Sequence, residues 1–215
     1  MLLTNEVSCL LLPPELSYVD GAFIACQAST AYGAMLKLNP SGRDTLVVFG
    51  LGPVGLCGVM IARALSAQVV DAVEERLELA RDLGASAVID GVRDDVVAQL
   101  QALADGEGPN LAFETSGSAV AHQHVLDALC KGGRAAFVGI GARDKTANLT
   151  QIVAKQLTLM GSFVSPIGMY WELAAFLVRH RIPLQAMVTH RFGIADAPEA
   201  FRLVDSARTG KVIFE

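Results

Sequence analysis

The 215-residue sequence has no C-x-x-C pair: its four cysteines, Cys9, Cys26, Cys57 and Cys130, stand apart. That excludes zinc-finger and thioredoxin-type motifs. Charge is scarce, with 18% Asp, Glu, Lys and Arg, a net charge of -5 and no cluster of basic residues. Neither a nucleic-acid surface nor an anionic-membrane surface is expected from such a chain. The N-terminus lacks a basic n-region, so no secretory signal is read there and a reducing cytoplasm is the expected setting. The uncharged run 46–62 is slightly short for a membrane span and is broken by four glycines and a proline. No internal repeat or low-complexity segment appears. What the chain has in quantity is apolar residues, 52% of the total, enough to fill one large domain or one domain with a small partner.

The apolar run Leu46-Val47-Val48-Phe49 stops at Gly50-Leu51-Gly52-Pro53-Val54-Gly55. This spacing, G-x-G-x-x-G, with an apolar helix pattern behind it predicts a buried parallel strand, a tight turn and a helix start. Each glycine has its own task. Gly50 turns the chain out of the strand, Gly52 lets a pyrophosphate approach the backbone, and Gly55 brings the helix close to the sheet. Pro53 suits the first helical position, where an N–H would be unpaired anyway. The N–H groups of Val54 and Gly55, together with the helix dipole, point at an anion.

Along the chain, residues 1–17 show apolar fragments but no complete supersecondary unit. Small and apolar residues over 18–38 predict closely packed helix, ended by the turn Asn39-Pro40-Ser41-Gly42. Further strands are predicted at 68–70, 87–89, 111–114, 135–138 and 157–163. Helices are predicted at 53–65, 74–83, 94–104, 119–129 and 149–155, with Gly84 closing the second of these as a C-cap. Beyond them come a helix at 169–178, a strand at 187–191, a helix at 195–207 and a last strand at 212–214. Strand and helix alternate, with glycines at the strand ends. The expected fold class is α/β, a doubly wound parallel six-stranded sheet of the dinucleotide-binding type in the order 3-2-1-4-5-6.

Several stretches, taken in order, carry a resemblance. They are Gly50-Leu51-Gly52-Pro53-Val54-Gly55, Arg76-Leu77-Glu78-Leu79-Ala80-Arg81-Asp82-Leu83-Gly84-Ala85, Phe113-Glu114-Thr115-Ser116-Gly117-Ser118, Gly132-Gly133-Arg134 through Gly139, Val188-Thr189-His190-Arg191-Phe192, and Gly210-Lys211-Val212-Ile213. Together they resemble the zinc-dependent alcohol dehydrogenases of the medium-chain dehydrogenase/reductase family. The resemblance implies a dinucleotide-binding Rossmann domain over 28–165. It makes 1–27 a remnant of an N-terminal catalytic, GroES-like domain, and 166–215 a segment that would complete that domain. It also implies hydride transfer between a small alcohol or carbonyl substrate and NAD, with NADP possible, and a homodimer joined through the edge of strand six.

The resemblance extends to individual positions. The segment 23–34 is similar to the one that brings the third protein ligand to the catalytic zinc. This makes Cys26 a thiolate ligand and places Thr30 near the nicotinamide ring; from chemistry alone, Cys26 reads as a small buried residue in a packed helix. The other zinc ligands and the proton relay belong to the family's N-terminal domain, which this chain starts too late to contain. A fragment or a shortened relative is therefore expected, and no general base is named. His122, His124, His180 and His190 are expected as surface or packing residues. The ribose-binding acid falls about 20 residues after the fingerprint. Asp71 fits by its distance to the following helix and Glu74 by counting from Gly50, while Asp71 also reads as an N-cap. An acid there favours NAD. Val138, Gly139 and Ile140 match backbone that meets the nicotinamide, as do Phe163 and Val164. Lys211 sits where a basic residue reaches the cofactor phosphates, and reads equally as a surface lysine. Two other functions stay open: a non-catalytic NAD(P)-binding or oligomerisation module, and a zinc-independent quinone-type reductase.

Overall fold

The computed structural model describes residues 4–71, 77–90, 95–141, 147–205 and 209–215, with the side chains of residues 68–71 and 77 left out. Glu74 lies outside the described residues. The chain enters through a short 3-10 turn at Glu6–Ser8 and then three helical segments: α1 (Tyr18–Phe23), a π-helical turn (Ile24–Ala28) and α2 (Ser29–Leu38). Ser17 and Asp20 start α1 with a reciprocal capping box. The closely packed helix expected over 18–38 is present, with one departure in its local geometry. A π turn, with its hydrogen bonds reaching five residues back, interrupts the helix around Cys26.

Six short apolar runs form the sheet. They are β1 (Thr45–Phe49), β2 (Gln68–Asp71), β3 (Ala87–Val88), β4 (Leu111–Glu114), β5 (Arg134–Phe137) and β6 (Thr158–Gly161). Their order is β3-β2-β1-β4-β5-β6 and every neighbouring pair is parallel, as the sequence predicts. Helices lie between consecutive strands: α3 (Pro53–Ala64), α4 (Leu77–Asp82), α5 (Val96–Leu103), α6 (Ala119–Ala128) and α7 (Leu149–Lys155). Gly84 follows α4 at φ +108°, in the left-handed conformation a C-cap glycine takes.

Successive side chains of a strand point to opposite faces, so a strand covered on both sides is apolar throughout. β1 shows this directly. Leu46 and Val48 join Leu111, Phe113 and Ala136 in one core, against α2 and α3. Val47 and Phe49 join Ala112 and Ala135 in the other, against α5 and α6.

After β6 the chain forms α8 (Tyr170–His180), β7 (Val188–Phe192), α9 (Ala197–Asp205) and β8 (Lys211–Phe214). β7 and β8 pair in parallel as a separate two-stranded sheet, with an irregularity between Val188 and His190. α8 is tied to α2 by the Tyr32 hydroxyl, which donates to Glu172 Oε1 at 2.8 Å, and by the Tyr32–Phe176 ring contact. Among the described residues no helix is long and apolar enough to cross a membrane.

Candidate functional site

Where β1 ends, missing side chains, an uncapped helix and one threonine set the shape of the loop. Gly50 has φ +95°, and a Cβ on it would lie 2.8 Å from the Ser116 nitrogen. Gly55 packs closer still, since its Cβ would lie 1.8 Å from the Gly50 carbonyl oxygen. Thr115, just past β4, holds the turn from the other side. Its N–H donates to the Phe49 carbonyl at 2.8 Å, and its hydroxyl lies 2.7 Å from the Gly50 oxygen and 3.1 Å from the Phe49 oxygen.

Gly52 precedes α3 with extended backbone and gives the helix no side-chain cap, and Pro53 fills the first turn. The N–H groups of Val54 and Gly55 are thus presented at the positive end of the helix dipole, the arrangement that takes up an anion. The loop sits between β1 and β4, where the strand order reverses. This switch point is where open α/β sheets bind their ligands.

The other predicted positions fall around it. Thr30 is buried in the first turn of α2. Val138, half-buried, donates its N–H to the Glu114 carbonyl at 2.8 Å, while Ile140 is exposed. Phe163 and Val164 are exposed beyond the end of β6. Asp71 is the last residue of β2, in register with Val48. Lys211 starts β8, half-buried. It lies near Cys57 of α3: burial pushes that thiol's pKa up, and the Lys211 charge acts against the rise.

Cys26 is exposed on the π turn rather than packed inside a helix, so the reading of it as a small buried residue does not hold. A cavity of about 690 Å³ opens beside it, lined by Leu11, Ile24, Ser29, Val164, Ile167 and Tyr170. Trp171 is exposed and packs edge-on against Tyr170, whereas Phe176 lies between Tyr32 and His180. Among the described residues no three or more His, Cys, Asp or Glu side chains gather where they could hold a metal ion.

The contact between Glu114 and His122 is not read from the sequence, where Glu114 appears only within a motif and His122 as a surface or packing residue. Glu114 is fully buried, and its Oε2 lies 3.2 Å from His122 Nε2. His122 is thus a packing histidine, edge-on against Phe137, that also meets a buried carboxylate. The available signal was an acid at the end of the otherwise apolar run Leu111-Ala112-Phe113, just before Thr-Ser-Gly.

Residues 53–179 match the zinc-binding dehydrogenase family, more than half of the chain. The chain belongs to that family. It is 32% identical over 220 residues to YphC of Escherichia coli (strain K12), an uncharacterized zinc-type alcohol dehydrogenase-like protein, covering 99% of this chain and 61% of YphC. It is 34% identical over 183 residues to L-threonine 3-dehydrogenase of Anaeromyxobacter sp. (strain K), covering 84% of this chain and 53% of that enzyme. Among solved structures, alcohol dehydrogenase TADH from Thermus sp. ATN1 superposes with a TM-score of 0.87 at 30% identity, over 94% of this chain and 59% of TADH. Benzyl alcohol dehydrogenase from Acinetobacter calcoaceticus gives 0.85 at 26% identity, over 94% of this chain and 58% of its own. The chain thus spans between half and two thirds of the length of these relatives.

Proposed function

We propose that this chain binds NAD(H), with the pyrophosphate at Gly50–Gly55, as the dinucleotide-binding part of an alcohol dehydrogenase-type oxidoreductase. The observation that carries the reading is the cradle itself. A Cβ at Gly50 or Gly55 would collide with backbone or side chain, α3 begins without a side-chain cap, and the site lies at the switch point of the sheet. The chain's residues fit the group. Val54 and Gly55 donate to the pyrophosphate, Asp71 takes the ribose hydroxyls and disfavours a 2′-phosphate, and Lys211 supplies positive charge to the phosphates. Thr30 and the 138–140 backbone border the nicotinamide, and residues 28–165 form the binding unit. NAD, when bound, supplies the hydride acceptor for an alcohol substrate. The protein binds it, orients it and excludes water.

Zinc fits differently. Cys26 offers one thiolate, exposed at the π turn, but a catalytic zinc takes about three protein ligands. The described residues gather no such set. β6 lies at the end of the sheet order, and its free edge supports a homodimer of two such sheets. The four unpaired cysteines are in keeping with a reducing, cytoplasmic setting.

The test is a titration of the 215-residue chain with NADH and NADPH, followed by nicotinamide fluorescence. Saturable NADH binding at least about tenfold tighter than NADPH is expected. A chain that binds neither nucleotide overturns the proposal.

A further inference from the structure

Glu114 is a carboxylate with no solvent exposure at all. Burying a charge of this kind is costly unless it is fully hydrogen-bonded. Its Oε1 accepts from the Ser116 N–H at 2.8 Å, the Ser116 hydroxyl at 2.5 Å and the Gly117 N–H at 2.9 Å. Its Oε2 faces His122 Nε2 at 3.2 Å. His122 in turn packs edge-on against Phe137, the last residue of β5. With the carboxylate ionised, His122 Nε2 is the donor in this contact.

The turn that Glu114 holds lies between the two halves of the site. On one side is the glycine loop: Thr115 bonds the Gly50 carbonyl, and the Ser116 nitrogen is where a Cβ on Gly50 would collide. On the other is the exit of β5. Gly117, at φ +67°, has room for a Cβ only 2.8 Å from the Ile140 carbonyl carbon. Gly139 would put a Cβ 2.1 Å from the Gly117 nitrogen and 2.8 Å from Glu114 Oε2. The Glu114 backbone carbonyl accepts from both Val138 N–H and Gly139 N–H. The 115–117 turn is thus a spacer clamped between the Gly50 loop and the Val138–Ile140 segment, and the buried carboxylate fixes its shape from inside.

We infer that Glu114 and His122 are positioning residues. The pair sets the placement of the Val138–Ile140 segment relative to the glycine loop, and so the fit of the nicotinamide half of the cofactor. The inference rests on the NAD(H) reading above. Neither side chain needs to touch the cofactor; both act through the turn.

The test compares NADH with ADP-ribose, which keeps the adenosine and pyrophosphate but lacks the nicotinamide, on the 215-residue chain. Glu114→Gln keeps the size and one acceptor oxygen while removing the charge. His122→Ala removes the donor to Oε2, and His122→Gln restores a donor at similar reach. The expected result for Glu114→Gln and His122→Ala is a Kd for NADH raised about tenfold, with the Kd for ADP-ribose within about twofold of wild type. His122→Gln should recover most of the NADH affinity. Equal weakening of both ligands would make the pair a general fold contact and overturn the inference, as would no change in either. A wild-type chain that binds neither ligand overturns the NAD(H) reading and this inference with it. A wild type that binds both, with variants that fail to separate them, overturns this inference alone.

Discussion

Gly55 meets the carbonyl oxygen of Gly50 so closely that a Cβ on residue 55 would sit 1.8 Å from it. The obstacle is backbone on both sides, so no side-chain rotation can relieve the clash. Gly55→Ala must push α3 away from the end of β1. Overpacking of this kind costs about 1–3 kcal/mol and lowers the melting temperature by several degrees. Calorimetry should show that drop, together with loss of NADH binding. An unchanged melting temperature would mean that the contact is not needed.

Val164 has φ +53° and is the only β-branched residue among the described non-glycine residues with positive φ. Branched side chains are the least tolerant of this region. The loop is pinned nonetheless. The Ser165 hydroxyl donates to the Ser29 carbonyl at 2.8 Å, in a space where a Cβ on Gly33 would lie 2.7 Å from the Ser165 oxygen. Asparagine accepts the left-handed conformation more readily, so Val164→Asn should stabilise the protein by about 1 kcal/mol. The check is the urea midpoint, expected to rise. A fall would show that the apolar contacts of this half-exposed valine outweigh its strain.

The sheet was legible because each strand announces itself locally: a short run, mostly apolar and two to five residues long, stopped by glycine or a polar turn. The alternation of strand and helix pointed to a parallel sheet, and its order followed from the match of six strands and the glycine fingerprint to the dinucleotide-binding type. The same local cues placed Gly50, Gly52 and Gly55. What was not legible is tertiary. The π turn at Ile24–Ala28 has no composition of its own, since small residues read as helix whether one turn carries an extra residue or not. Glu114 reads as a strand terminator, and its partner His122 lies eight residues on, inside α6. Lys155 looks like a surface lysine, yet its ammonium donates to the carbonyls of Leu126, Asp127 and Leu129 and closes the end of α6. Each of these depends on which groups the sheet brings together.

Tyr32 supplies a pH signature for the α2–α8 contact. Burial, then the hydrogen bond to Glu172, raises its pKa from the ordinary 10.0 to about 12. The folded state thus favours the neutral phenol. Its contribution to stability is fully present below pH 10 and is lost as pH rises from 10 towards about 12. Tyr32→Phe removes both the hydrogen bond and the titration. Wild type should exceed the variant by about 1 kcal/mol at pH 8, and the gap should shrink between pH 10 and 12 in urea unfolding series. Burial raises the pKa of Tyr170 as well, but that effect is common to both proteins and cancels. A gap that stays constant to pH 12 would contradict the assignment.

Thr115 offers the sharpest contrast with the Glu114–His122 pair. Its hydroxyl lies within hydrogen-bonding distance of the Gly50 carbonyl, at 2.7 Å, and of the Phe49 carbonyl, at 3.1 Å, and so acts on the loop proposed to hold the pyrophosphate. Thr115→Val keeps the shape and removes the donor, leaving the Gly50 oxygen without that partner next to Gly55. The cost to folding is about 1 kcal/mol. On the proposed NAD(H) reading, the cost to binding falls on the phosphate rather than the nicotinamide. NADH and ADP-ribose should therefore weaken together, by roughly fivefold each. Isothermal titration with both ligands separates this pattern from the one expected at Glu114. If Thr115→Val weakened NADH alone, the division of the site into a phosphate half anchored by Thr115 and a nicotinamide half anchored by Glu114 would be wrong.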